Sequence, residues 1–123
     1  MALYTSTRRI DHAIVIDCAG RIVFGEESAK LREVVYPLLK EYRSVTLNLS
    51  SVSYMDSGGL GTLVSLYTSA RNRGGKVNLA GLNSRIMNLL DLTKLATIFE
   101  IFPSVEDAIR AHAGDAGAGL AAR

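Results

Sequence analysis

Apolar residues recur along the chain with two different periods, and the switches between them mark the elements. Leu3–Ile10 alternates loosely and Ala13–Ala19 is more densely apolar, so both predict strands. Asp11-His12 between them predicts a tight turn and hence a hairpin, with Gly20 ending the second strand. The period then lengthens. Leu31, Val34, Val35, Leu38, Leu39 and Tyr42 recur at three- and four-residue steps and predict a helix over residues 26–42. Glu26 and Glu27 fall near its start, where carboxylates meet the positive end of the helix dipole. Pro37 removes a backbone donor, which predicts a kink or a break there.

Alternation returns in Val45–Leu49, a strand with Val45, Leu47 and Leu49 on one face. The Ser-rich stretch over residues 50–57 then reads as a polar loop with apolar anchors. Leu60, Leu63, Val64, Tyr67 and Ala70 restore helical spacing. Asp56 or Ser57 supplies the N-cap oxygen, and Gly74-Gly75 stops the helix. Lys76–Ala80 reads as a short strand. Asn83 or Ser84 opens a short helix with Ile86, Leu89 and Leu90 inward, which Leu92–Leu95 extends or follows. Ile98–Phe102 reads as an edge strand ended by Pro103. Ser104-Val105-Glu106-Asp107 is a loose capping box before a last helix. Strands alternating with helices predict an α/β domain with a mixed sheet.

Length and composition narrow the class. A chain of 123 residues fits one domain, and 48% hydrophobic residues suffice for a core without staples. One cysteine, Cys18, excludes an internal disulfide and a multi-cysteine zinc site. The two histidines, His12 and His112, read as solvated side chains. A net charge of +2 with Lys and Arg spread along the chain, and 7% aromatics without Trp, argue against a nucleic-acid partner. Apolar runs are too short to span a bilayer and no signal-peptide pattern opens the chain, which predicts a cytoplasmic protein without membrane insertion.

One stretch is chemically unusual: Tyr54-Met55-Asp56-Ser57-Gly58-Gly59-Leu60-Gly61. Three glycines crowd a helix start, where each costs about 1 kcal/mol against alanine. Bare backbone there lets a ligand or partner approach closely, and free N–H groups favour an anion. Enzymatic readings fail residue by residue. Met55 stands where a nucleophile elbow needs glycine. Gly59-Leu60-Gly61-Thr62-Leu63-Val64 lacks the third small residue of a dinucleotide fingerprint, and Ala70 replaces the first glycine of a phosphate loop ending at Gly75-Lys76. The expectation from these residues is no cofactor, no metal and no catalytic activity.

The run Leu47-Asn48-Leu49-Ser50-Ser51-Val52-Ser53-Tyr54-Met55-Asp56-Ser57-Gly58-Gly59-Leu60-Gly61 resembles the hallmark of the STAS domain, in the branch of bacterial anti-sigma factor antagonists. Arg73–Val77, Leu89–Leu95 and Phe102–Ala108 resemble that family's post-helix turn and strand, third helix, and closing strand with last helix. The resemblance covers about residues 6–112. It implies a single domain with a mixed, mostly parallel sheet of four to five strands and about four helices. Residues 1–113 would form the STAS domain and residues 114–123 a flexible Ala- and Gly-rich tail.

The resemblance also implies a mechanism. The unmodified antagonist binds an anti-sigma factor that is also a serine/threonine kinase, which frees a sigma factor. Phosphorylation of the serine after the aspartate ends that binding, and a phosphatase restores it. Carried over, Ser57 is the acceptor, and Asp56, Ser57, Gly58, Gly59, Leu60 and Gly61 form the partner-binding segment. Gly58 stands where many members have Ser, Thr or Ala. Arg21-Ile22-Val23 stands where the family often has an acidic Glu-Leu-Asp stretch. The alternative is a constitutive STAS interaction subunit, such as that of a lipid transporter, without phosphorylation.

Overall fold

The computed structural model describes residues 2–112, so the tail expected at 114–123 lies outside the described residues. Strands β1 (Leu3–Ile10) and β2 (Ala13–Ile22) form the antiparallel hairpin, in register from Leu3↔Gly20 to Ile10↔Ala13. Asp11 turns the chain with φ +55°, a left-handed conformation that Asp tolerates better than most residues. Gly20 does not end β2. At φ +112° it lets the strand pass a register irregularity and run on to Ile22. A Cβ there would lie 2.3 Å from the Ala2 carbonyl oxygen, so only glycine fits.

Helix α1 (Glu26–Glu41) buries Ser28, Leu31, Val35 and Leu39 and runs without a break through Pro37. Pro37 and Glu33 are both exposed, so the Glu33 carbonyl that lost its donor faces water. Strand β3 (Ser44–Met55) is longer than its apolar alternation indicates. The segment read as a loop continues the strand, because Ser51, Val52, Tyr54 and Met55 pair with Ala19, Gly20, Arg21 and Ile22 of β2. The serines alternate onto the solvated side while Val52 and Met55 are buried.

Helix α2 (Ser57–Asn72) ends at Gly74 (φ +76°), and the Gly75 N–H closes on the Ala70 carbonyl at 2.8 Å. Strand β4 (Lys76–Ala80) follows, then α3 (Ser84–Leu92). Asn83 caps α3 by accepting from the Ile86 N–H at 2.9 Å, and its amide donates to the Val52 carbonyl of β3 at 3.1 Å. A 3-10 turn over Leu95–Thr97 leads to β5 (Glu100–Phe102), shorter than the expected Ile98–Phe102. Ser104 caps α4, residues 105–112, through the Asp107 N–H at 3.2 Å.

The sheet order is β1-β2-β3-β4-β5, with β2 to β5 mutually parallel. Helices α1, α2 and α3 cover one face over the main core, which includes Ile16, Leu31, Leu47, Leu63, Leu66, Leu79, Ile86 and Leu90. Each such fully buried side chain contributes about 1.5–3 kcal/mol of transfer free energy. On the other face α4 packs Val105 and Ile109 against Val15, Ala80, Ile10 and Phe102. His112 is not a solvated side chain. It is 6% exposed, edge-on to Phe102 at 5.7 Å, with Nε2 3.1 Å from Glu100. His12 is exposed in the hairpin turn.

Candidate functional site at the start of α2

Parallel neighbours end on the same side of a sheet, so the chain leaving β2 and the chain leaving β3 meet there. Residues 23–25 after β2 lie against Asp56 and the first turn of α2. Asp56 is extended (φ −103°, ψ −175°) and its Oδ1 accepts from the Gly59 N–H at 2.8 Å. The same carboxylate accepts from the Phe24 N–H, at 3.1 Å to Oδ1 and 3.2 Å to Oδ2. The Asp56 N–H donates to the Ile22 carbonyl at 3.4 Å, and the Asp56 carbonyl accepts the first helical bond from Leu60 at 2.9 Å. These donors, Gly59 N–H first and Phe24 N–H next, hold the Asp56 carboxyl below its ordinary range.

Asp56 therefore takes the cap position that the sequence left open between it and Ser57. Ser57 becomes the first residue of α2, exposed, with the capping work done by its neighbour. The three glycines have different surroundings. A Cβ on Gly59 would lie 2.0 Å from the Ile22 carbonyl oxygen, and one on Gly58 would lie 2.5 Å from the Phe24 Cβ. Both glycines thus let the β2–α1 turn seat directly on the helix. Gly61 is exposed and nothing approaches its Cβ position within 4 Å. Leu60 is 7% exposed and belongs to the main core. Of the six residues singled out, Ser57 and Gly61 face solvent, Asp56 and Gly58 are half-buried, and Gly59 and Leu60 support the site from beneath.

Sequence reasoning missed the turn itself. Phe24 is 81% exposed beside Gly58. The signal was present: an aromatic next to Gly25, between a strand and a helix, in a chain whose alternating elements imply parallel strands. Glu26 and Glu27 begin α1 directly after this turn. Arg21, at the end of β2, stacks its guanidinium over Tyr54 at 5.0 Å. Among the described residues no group of His, Cys, Asp and Glu is placed to hold a metal, and no helix is long and apolar enough to cross a membrane.

The fold is a five-stranded α/β domain that places an exposed serine and an exposed aromatic at the same end of the sheet. The STAS domain family model matches residues 4–108, and the chain belongs to that family. The anti-sigma-B factor antagonist of Bacillus subtilis (strain 168) is 31% identical over 111 residues, 89% of this chain and 100% of that protein. The crystal structure of the Thermotoga maritima protein TM1081 matches with TM-score 0.80 at 25% identity, covering 87% of this chain and 92% of that one. The Bacillus cell fate determinant SpoIIAA in its phosphorylated form matches with TM-score 0.70 at 15% identity, covering 88% of this chain and 98% of that chain, a likeness of fold.

Proposed function

We propose that this chain is an anti-sigma factor antagonist, a binding regulator that docks on an anti-sigma factor through the start of α2 and is switched off by phosphorylation of Ser57. The observation that carries the reading is the division of labour at the cap. Asp56 satisfies the helix N–H group, so the neighbouring hydroxyl of Ser57 is left exposed for transfer. The antagonist name of the Bacillus subtilis relative supports the class of partner, and the phosphorylated form of SpoIIAA supports the type of switch.

In the reaction, Ser57 Oγ attacks the γ-phosphorus of ATP. A new P–O bond forms, the bond to ADP breaks, and the hydroxyl proton passes to a base on the kinase. The kinase is the anti-sigma factor itself, and a phosphatase hydrolyses the ester to restore binding. The product carries roughly −1.5 to −2 charge beside Asp56, which repels a partner seated on that rim while the helix dipole tolerates it. The binding unit is residues 1–113, acting in the cytoplasm.

The test is incubation with the cognate kinase and ATP, followed by mass spectrometry. One phosphate on Ser57, absent from Ser57→Ala, is expected; phosphate elsewhere, or none with a proven partner, refutes the reading. Ser57→Asp should weaken partner binding in calorimetry. A second reading, a constitutive STAS subunit, is favoured by Gly58, which offers no second hydroxyl, and by Arg21 stacked on Tyr54 where the family often carries acid. Capture of a transporter ATPase and no kinase would select it.

A further inference from the structure

We propose that Asp56 is a positioning residue that ties the β2–α1 turn to the start of α2, so that a phosphate on Ser57 is felt at Phe24 as a loosened turn. This rests on the reading of Ser57 as the acceptor. One carboxylate serves two structural elements: it caps α2 through the Gly59 N–H and holds the turn through the Phe24 N–H. Within the turn, the hydrogen bond made by the Phe24 N–H goes to Asp56. The Phe24 side chain is 81% exposed, so its burial contributes little, and Gly25 at φ +105° caps α1 without a side-chain bond. Val23 is held from the α1 side, where the Ser28 N–H and hydroxyl donate to its carbonyl at 3.1 and 2.7 Å. Gly25 is held from the same side, its carbonyl accepting from the Ala29 N–H at 3.0 Å, so Phe24 sits between two residues anchored to α1, and its own N–H is fixed by Asp56 while its side chain fits over Gly58.

A phosphate on the adjacent residue is a more highly charged acceptor in the same first turn. It competes for the N–H groups that Asp56 now occupies, and it repels the carboxylate. When the carboxylate yields, both the helix cap and the Phe24 bond weaken. A partner resting on this rim then meets a new charge and a displaced aromatic ring together, which deepens the switch beyond simple repulsion.

The experiment uses full-length protein with phosphoserine installed at position 57 during synthesis, so no kinase is needed. Amide exchange and amide proton shifts are followed by NMR at Phe24 and Gly59, with Val45, Leu47 and Leu79 as core references. The expected result is about tenfold faster exchange at Phe24 in the phosphorylated form, with the core amides unchanged. Equal exchange at Phe24 in both forms overturns the coupling. Asp56→Ala should loosen Phe24 without phosphate, and adding phosphoserine to it should loosen Phe24 no further. Additive effects would overturn the shared-carboxylate argument. Asp56→Asn, which keeps an acceptor oxygen, should restore part of the protection. Should Asp56→Ala prove unfolded by its core amides, the phosphoserine comparison decides alone. Failure of the coupling leaves the acceptor assignment standing, whereas failure of the kinase assay leaves this coupling measurable.

Discussion

The glycines at the start of α2 show how three identical residues acquire different duties from their neighbours. Gly59 lies against the Ile22 carbonyl, where an added Cβ would collide with the oxygen, so its replacement by alanine forces backbone to move, at a cost of about 1–3 kcal/mol in urea denaturation. Gly61 has open space, so Gly61→Ala should raise stability by about 0.5–1 kcal/mol. If the partner docks over this turn, the same stabilising change should weaken its binding, a combination that no folding defect produces. Cys18 offers a second residue-scale test. It is buried, and burial pushes its thiol up to about 12. Iodoacetamide at pH 8 should leave it unlabelled in the native protein and label it in urea. Helix-start chemistry left the cap open between Asp56 and Ser57, and the family resemblance alone pointed to Ser57 as acceptor, whereas the packing roles of Gly58 and Gly59 depend on a turn more than thirty residues earlier in the chain.

Elements were legible wherever one face alternates cleanly with the other. Val45, Leu47 and Leu49 announce β3, and Ile86 and Leu90 announce α3, because burial on one side imposes the period. The second half of β3 was illegible because its serines resemble loop residues, and pairing with β2 rather than composition makes it a strand. Gly20 misleads for the converse reason: its positive φ lets β2 continue where most residues would end it. Pro37 sits in an exposed turn of α1, where water replaces the lost donor. Pro37→Ala should therefore stabilise the protein, by up to about 3 kcal/mol, measured as a rise in the denaturation midpoint.

Across the whole molecule, the mixed α/β sheet was legible in the alternation of elements, but the strand order β1-β2-β3-β4-β5 and the burial of His112 were not. That histidine is the last described residue of α4, and the seating of α4 beside β5 brings it against Phe102 and Glu100. Stability of the assembled domain should fall in acid through two carboxylates. Arg8 holds the Asp17 carboxyl below its usual range, with Asn48 assisting, as Gly59 does for Asp56. Both carboxylates bind protons less readily folded than unfolded. Their contribution is present above the unfolded value and is lost as pH falls through the folded one, so the loss begins near about pH 4 and continues below it. Urea midpoints at pH 7, 4 and 3 should show the decline, and Asp17→Asn should flatten it.

Strand β3 extends past the last rung it shares with β4, at Asn48↔Ala80, and its upper half would otherwise present bare peptide groups to the surroundings. The Asn83 amide covers one of them, the carbonyl of Val52. An unfilled sheet margin is a template for a second copy, and the Asn83 amide leaves one acceptor fewer on it. Loss of that amide in Asn83→Ala would be expected to surface as concentration-dependent oligomers in sedimentation, even where the monomer still folds.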